Sequence, residues 1–173
     1  RVRSSAASDV YKRQGCAFLV YDGTLVLYAQ SYLEGIPPAK TITITSDGDY
    51  SFMDHSARLY GFCRIERGLY QGNFHVDNGG TRQYVPDMDI PITISSQVEA
   101  DRYAKNLLRS VNKGMLYGYF YGRVMPEFAA ASTANIENDR ATSWNGHVFF
   151  THIRNDYGKG RSKVFFRKPL DGY

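Results

Sequence analysis

Apolar residues in this chain recur at the period of an α-helix in one clear stretch. Ala100, Tyr103, Ala104, Leu107, Leu108 and Val111 fall at i, i+3, i+4, i+7, i+8 and i+11, while Asp101, Arg102, Lys105 and Arg109 point elsewhere. Ser96 and Glu99 form a capping box ahead of that stripe, in which each side chain satisfies a backbone N–H left open by the first turn. Gly114 after Lys113 supplies the stop. The spacing predicts one main amphipathic helix over about 96–113, so the rest of the fold has to come from strands and turns.

Residues 17–21 and 24–30 are β-prone runs split by Asp22-Gly23, a dipeptide suited to the positive φ angles of a type I′ turn, and they read as a hairpin. Residues 40–45 alternate apolar and hydroxyl side chains like a half-buried strand, and Ser46-Asp47-Gly48-Asp49 turns the chain without the ligand spacing of a calcium loop. A second hairpin is expected at 57–66 and 69–76, with Arg67-Gly68 at its tip and Leu59, Phe62, Ile65 and Leu69 available to pack. Short strands follow at 82–85 and 90–94, held to edges or strand starts by Pro86 and Pro91. Residues 115–124 form a strand with Tyr117, Tyr119 and Tyr121 on one face and Leu116, Gly118, Phe120 and Gly122 on the other. Residues 125–146 read as a long connection, and a last hairpin joins 147–153 to 162–167. The expected fold is α+β: a single domain over 15–173 whose mostly antiparallel, hairpin-built sheet is crossed and closed by the one helix.

Residues 4–14, from Ser4-Ser5-Ala6-Ala7 to Lys12-Arg13-Gln14, resemble the in-frame translation of a transposase sequencing adapter, which implies a metagenomic or transcriptomic origin. Residues 1–14 are therefore set apart as non-native, and a chain joined to them at Gly15 is expected to lack its native start. The full net charge is +4; without Arg1, Arg3, Lys12, Arg13 and Asp9, 17 basic residues face 16 acidic ones, or +1. Global charge thus makes no case for a nucleic-acid or anionic-membrane partner. The apolar run at 17–21 is cut by Asp22-Gly23, far short of the ~20 residues a membrane span needs. Two cysteines, Cys16 and Cys63, make neither a disulfide scaffold nor a zinc site, and they assign no redox compartment.

A catalytic reading starts from His55, His75, His147 and His152. His147 and His152 lie five apart on an expected strand and should face opposite sides of it. His75 and Asp77 share a face at i, i+2, with Asp54-His55 in a neighbouring loop, so His55, His75 and Asp77 are the candidate site of a small metal-assisted hydrolase or phosphodiesterase. The paired His-x-Ser/Thr of two-histidine phosphoesterases, the Gly-x-Ser-x-Gly elbow, phosphate loops and dinucleotide fingerprints are missing, and no cofactor or resident metal is expected. Cys63, mid-strand beside Phe62 and Arg64, reads as a structural thiol.

Aromatic content is the stronger signal: 14 Tyr, 10 Phe and 1 Trp, with tyrosine in excess. An apolar ring with a polar tip suits a surface that is wet until a partner covers it. Tyr117, Tyr119, Tyr121 and Arg123 form the expected contact row, with Trp144 and Tyr157 on flanking loops. The competing structural expectation puts that row beneath the helix. With Arg58, Arg64, Arg67, Arg82 and Arg123 as phosphate contacts, the same rings would bind single-stranded nucleic acid, a reading the near-neutral charge disfavours.

Residues 56–121 run strand, strand ending in Tyr84-Val85-Pro86, helix, then a strand led by Gly114. This order resembles the small linker domain of phycobilisomes, although residues 87–95 intervene before the helix. The resemblance implies a non-catalytic scaffold piece in a pigment-protein assembly. The preferred reading is a binding or assembly subunit with a protein partner and no membrane span.

Overall fold

The computed structural model describes residues 15–21, 23–45, 48–85 and 94–173. Residues 1–14, Ser46-Asp47 of the expected turn, and all but Ile94 of the strand expected at 90–94 lie outside the described residues. The fold is α+β, with largely antiparallel sheets and one long helix. The chain divides into two compact units, each with its own core.

The first unit comprises Arg1–Ser31, Ser56–Asn112 and Leu170–Tyr173. Strands β1 (Cys16–Tyr21) and β2 (Thr24–Ala29) pair antiparallel in register from Cys16↔Ala29 to Tyr21↔Thr24, as the expected hairpin requires, with Gly23 at φ 72°; Asp22 of the expected turn lies outside the described residues. Strands β5 (Tyr60–Arg67), β6 (Tyr70–His75) and β7 (Arg82–Tyr84) form a three-stranded sheet in the order β6-β5-β7. The β5–β6 register ends at Arg67↔Tyr70, so the tip is Gly68-Leu69, one residue later than expected. Leu69, expected to pack, sits on that tip 96% exposed.

The long helix, α2 (Gln97–Asn112), begins close to where its capping box predicts and packs on β5 and β6. The Ser96 hydroxyl accepts from the Glu99 N–H at 3.2 Å, and the Glu99 carboxylate accepts from the N–H and hydroxyl of Ser95 at 3.0 and 2.7 Å. These hydrogen bonds from Ser95 hold the Glu99 carboxyl below the usual carboxylate range. The cap therefore contributes fully above the ordinary glutamate pKa and weakens as pH falls through the lowered one. Ala100, Ala104, Leu107 and Leu108 are buried as the spacing predicts; Arg109, expected to point elsewhere, is buried as well.

Gly72 of β6 lets this helix come close, since a Cβ there would stand 2.1 Å from the Ala100 carbonyl oxygen. The outer edge of β6 is also occupied: Gln97 donates to the Gln71 carbonyl at 2.6 Å, and Asp101 accepts from the Asn73 N–H at 3.0 Å. An edge strand paired to helix side chains in this way is closed to further strand addition.

The last helical residue locks the unit. Asn112, fully buried, accepts from the Tyr60 N–H at 3.0 Å and donates to the Tyr60 carbonyl at 2.7 Å and to the Tyr173 hydroxyl. Asn78 donates to the same carbonyl and hydroxyl, at 3.1 and 3.0 Å.

The second unit comprises Tyr32–His55 and Lys113–Pro169. Its six-stranded sheet runs in the order β3-β9-β10-β11-β8-β4, from β3 (Thr41–Thr43), β4 (Tyr50–Asp54), β8 (Leu116–Arg123), β9 (Thr133–Glu137), β10 (Gly146–Asp156) and β11 (Arg161–Arg167). A five-residue helix, α1 (Gln30–Glu34), ends just inside this unit. The long connection expected at 125–146 contains β9, because Ala134 and Ile136 alternate into the core, and a 3₁₀ turn at Thr142–Trp144. The core collects Phe120, Ala134, Ile136, Val148, Phe150, Val164 and Phe166 from four strands.

Asn112→Ala removes the side-chain acceptor of the Tyr60 N–H and one of the two side-chain donors to its carbonyl, leaving Asn78 as the other, at a cost on the order of 3 kcal/mol. Asn112→Asp keeps the acceptor and loses both donors, so it should rescue little. Denaturant unfolding followed by circular dichroism at 222 nm reads both variants.

Candidate functional site

Strand β8 carries the expected tyrosine row, and its two faces separate as the alternation requires. Gly118, Phe120 and Gly122 turn toward the core, whereas Tyr117 is 42% exposed and Tyr119 and Tyr121 are half-buried. The helix expected to close over this strand belongs to the first unit and packs on β5 and β6. Likewise β8, which ends the linker-like stretch, pairs with β4 and β11 in the six-stranded sheet.

The neighbouring strand β11 sets four residues on the tyrosine face: Arg161 opposite Arg123, Lys163 opposite Tyr121, Phe165 opposite Tyr119, and Arg167 opposite Tyr117. The cations lie on rings. Lys163 Nζ is 3.8 Å from the Tyr119 ring centre and 5.1 Å from that of Tyr121, and the Arg161 guanidinium is 4.2 Å from that of Tyr121. Tyr119 and Tyr121 meet edge to face at 6.0 Å, and Phe165 stands 5.9 Å from Tyr119. From β10, Arg154 lies opposite Lys163 and Asp156 opposite Arg161. Tyr121, Arg154, Asp156, Lys159, Arg161 and Lys163 line a groove of about 310 Å³. Arg123 continues the row as an exposed side chain, and Tyr157, on the β10–β11 turn, is 73% exposed.

Trp144, expected as a surface contact, is a core residue. Its ring stacks on Phe52 at 5.1 Å and meets Phe166 edge-on at 6.2 Å. The histidine pair also needs correction. A bulge between Phe150 and His152 inserts one residue into β10, so Phe149 pairs with Arg167 and His152 with Phe165, both on the tyrosine face. His147, two before Phe149, therefore shares a face with His152.

The alternative catalytic set is spread over both units: His75 and Asp77 are in the first and His55 in the second. His75 and Asp77 are exposed on either side of the buried Val76, and the His55 ring centre lies 6.0 Å from that of Tyr117. Among the described residues, no group of three or more His, Cys, Asp and Glu side chains is placed to hold a metal ion. Cys63 is fully buried in the first core, and burial pushes its thiol up to about 11. A wider depression of about 710 Å³ at the β3–β9 edge is framed by structural asparagines. There the Asn145 carboxamide accepts from the Asn138 N–H at 2.7 Å, and Asn138 donates to the Ile44 carbonyl at 3.1 Å.

Sequence reasoning missed Lys163 and Arg161 as partners of the tyrosines, and Arg154 and Lys159 as lining of the groove beside them. The signal was the alternation Arg161, Lys163, Phe165, Arg167 on the final strand, which places every cation on one face.

No protein-family model and no curated protein matches the sequence. Solved structures do match the fold. A tail protein from Neisseria meningitidis MC58 superposes with a TM-score of 0.64 at 12% identity, over 96% of this chain and 54% of that one. The 43 kDa tail protein of prophage MuSo2 from Shewanella oneidensis gives 0.66 at 10% identity, over 96% and 52%. The chain spans about half the length of each. Among the described residues, no helix is long and apolar enough to cross a membrane.

With its pKa near 11, Cys63 is almost wholly protonated at pH 8. Native protein at pH 8 should leave Cys63 unlabelled by a thiol reagent, and unfolding in urea should release it. Mass spectrometry of labelled peptides distinguishes it from Cys16.

Proposed function

We propose that the chain is a structural subunit that assembles with copies of itself and with other proteins, and that it is not an enzyme. The observation that carries this reading is an uncovered apolar strip on the β1–β2 hairpin. Phe18 and Val20 on one strand stand opposite Leu27 and Leu25 on the other, and the four are 49, 69, 57 and 67% exposed. A two-stranded ribbon is marginally stable alone in water, and a contiguous apolar strip of this kind marks a protein-interaction surface. These four side chains carry no charge, so a second copy of the strip meets it without like-charge repulsion.

The tyrosine face of the six-stranded sheet supplies a second surface of the half-wet, aromatic kind that interfaces favour. The likeness in fold to two tail proteins supports placing the chain in a comparable structure. A linker role in a pigment-protein complex, which the resemblance of residues 56–121 implies, is a narrower form of the same reading.

Sedimentation velocity at about 100 μM should report a species larger than the monomer. Leu25→Ser with Leu27→Ser should return it to the monomer while the helical signal at 222 nm is unchanged. Burial of the two leucines is worth about 1.5–3 kcal/mol each, enough for a drop in association of at least tenfold. Wild type that stays monomeric and sediments like the double variant overturns the reading.

A further inference from the structure

The tyrosine face carries a row of cations mounted on rings, and the chain itself completes one end of that row. Arg167, on the face shared by Arg161, Lys163 and Phe165, stacks over Phe149 at 4.9 Å and pairs with Glu34 of α1, both partners being buried. A carboxylate brought from 133 residues away thus sits on a guanidinium held by an aromatic ring. Four residues back along β11, a cation again lies on a ring as Lys163 over Tyr119, and two residues further as Arg161 over Tyr121.

At that end the charges do not balance. Arg154, Lys159, Arg161 and Lys163 line the groove against a single lining carboxylate, Asp156. Asp156 approaches Lys159 at 4.0 Å, and Asp49 reaches Arg161 at 3.4 Å. Among the described residues, neither Arg154 nor Lys163 has an ion-pair partner.

We infer that this groove seats the carboxylates of an acidic segment of a partner protein, as Arg167 seats Glu34. The ring faces argue against nucleic acid. Base stacking needs an open aromatic face, and Lys163 and Arg161 already lie over Tyr119 and Tyr121. What the groove offers is a set of N–H donors on rigid platforms, together with the phenolic hydroxyls, and carboxylate oxygens satisfy both.

The inference names the partner chemistry of the proposed assembly role, but it is tested apart from hairpin association. The probes are a fluorescein-labelled octaglutamate peptide and a dT10 oligonucleotide, titrated by anisotropy at 50 and 200 mM NaCl. The peptide should bind, more weakly at the higher salt, and Arg154→Gln with Lys163→Gln should weaken it about tenfold or more. Lys163→Arg should keep most of the binding, and Arg102→Gln, on the exposed side of α2, should change nothing. Tighter binding of dT10, an equal loss in Arg102→Gln, or no peptide binding at 1 mM protein overturns the inference. An associating chain that ignores the peptide sinks this inference alone; a monomer that binds it sinks the assembly reading alone.

Discussion

Strict alternation along β8 is the constraint on which the second unit depends. Gly118, Phe120 and Gly122 have to face inward for Phe166, Phe150 and Phe52 to close over them, and this sends Tyr117, Tyr119 and Tyr121 to the opposite side. A Cβ at Gly118 would stand 2.5 Å from the Ser51 carbonyl oxygen, so the inner face of β8 accepts β4 only because that position is bare. A slip by one residue would put three phenols into an apolar core and three small or apolar residues into water. Core and surface row are therefore one choice of register.

The two units solve the problem of an open sheet differently. In the first, α2 covers the β6-β5-β7 sheet, and its Gln97 and Asp101 satisfy the outer backbone of β6. In the second, six strands share a core made by their own inner faces and by the loop carrying Trp144. The hairpin β1–β2 has neither device. Its apolar strip stays exposed, which makes it the place to look for a neighbour.

Much of this was legible locally. The buried stripe of α2, its capping box, the pairing of β1 with β2 and the two faces of β8 follow from spacing within a few residues. What was not legible depends on pairings far apart in sequence. Strand β9 lies in a stretch rich in Asn and Ser whose role as a strand is set by its partners β3 and β10. Trp144 looked like a loop residue because nothing near it in sequence announces Phe52 and Phe166. The bulge at Thr151 reverses the parity of β10, so strict alternation, which predicts His147 and His152 on opposite faces, fails there. Glu34 and Arg167 are a buried pair that no local pattern connects.

The same distance effect bears on how the cations of β11 are used. A cation on a sheet face can be held by a ring, by a carboxylate, or by both, and the effective dielectric decides which is needed. Arg167 is buried and has both, because a buried charge without a counter-charge would be too costly. Lys163 and Arg161 are more exposed; rings hold Lys163, and a ring together with the exposed Asp49 carboxylate holds Arg161. Covering them with a partner would move them toward the environment of Arg167. A partner that excludes water from this groove must therefore bring negative charge with it, whereas an uncharged apolar surface would leave the ammonium of Lys163 buried without a counter-ion. The choice of an acidic partner follows from that asymmetry, and Glu34 is the case in which the chain has already made it.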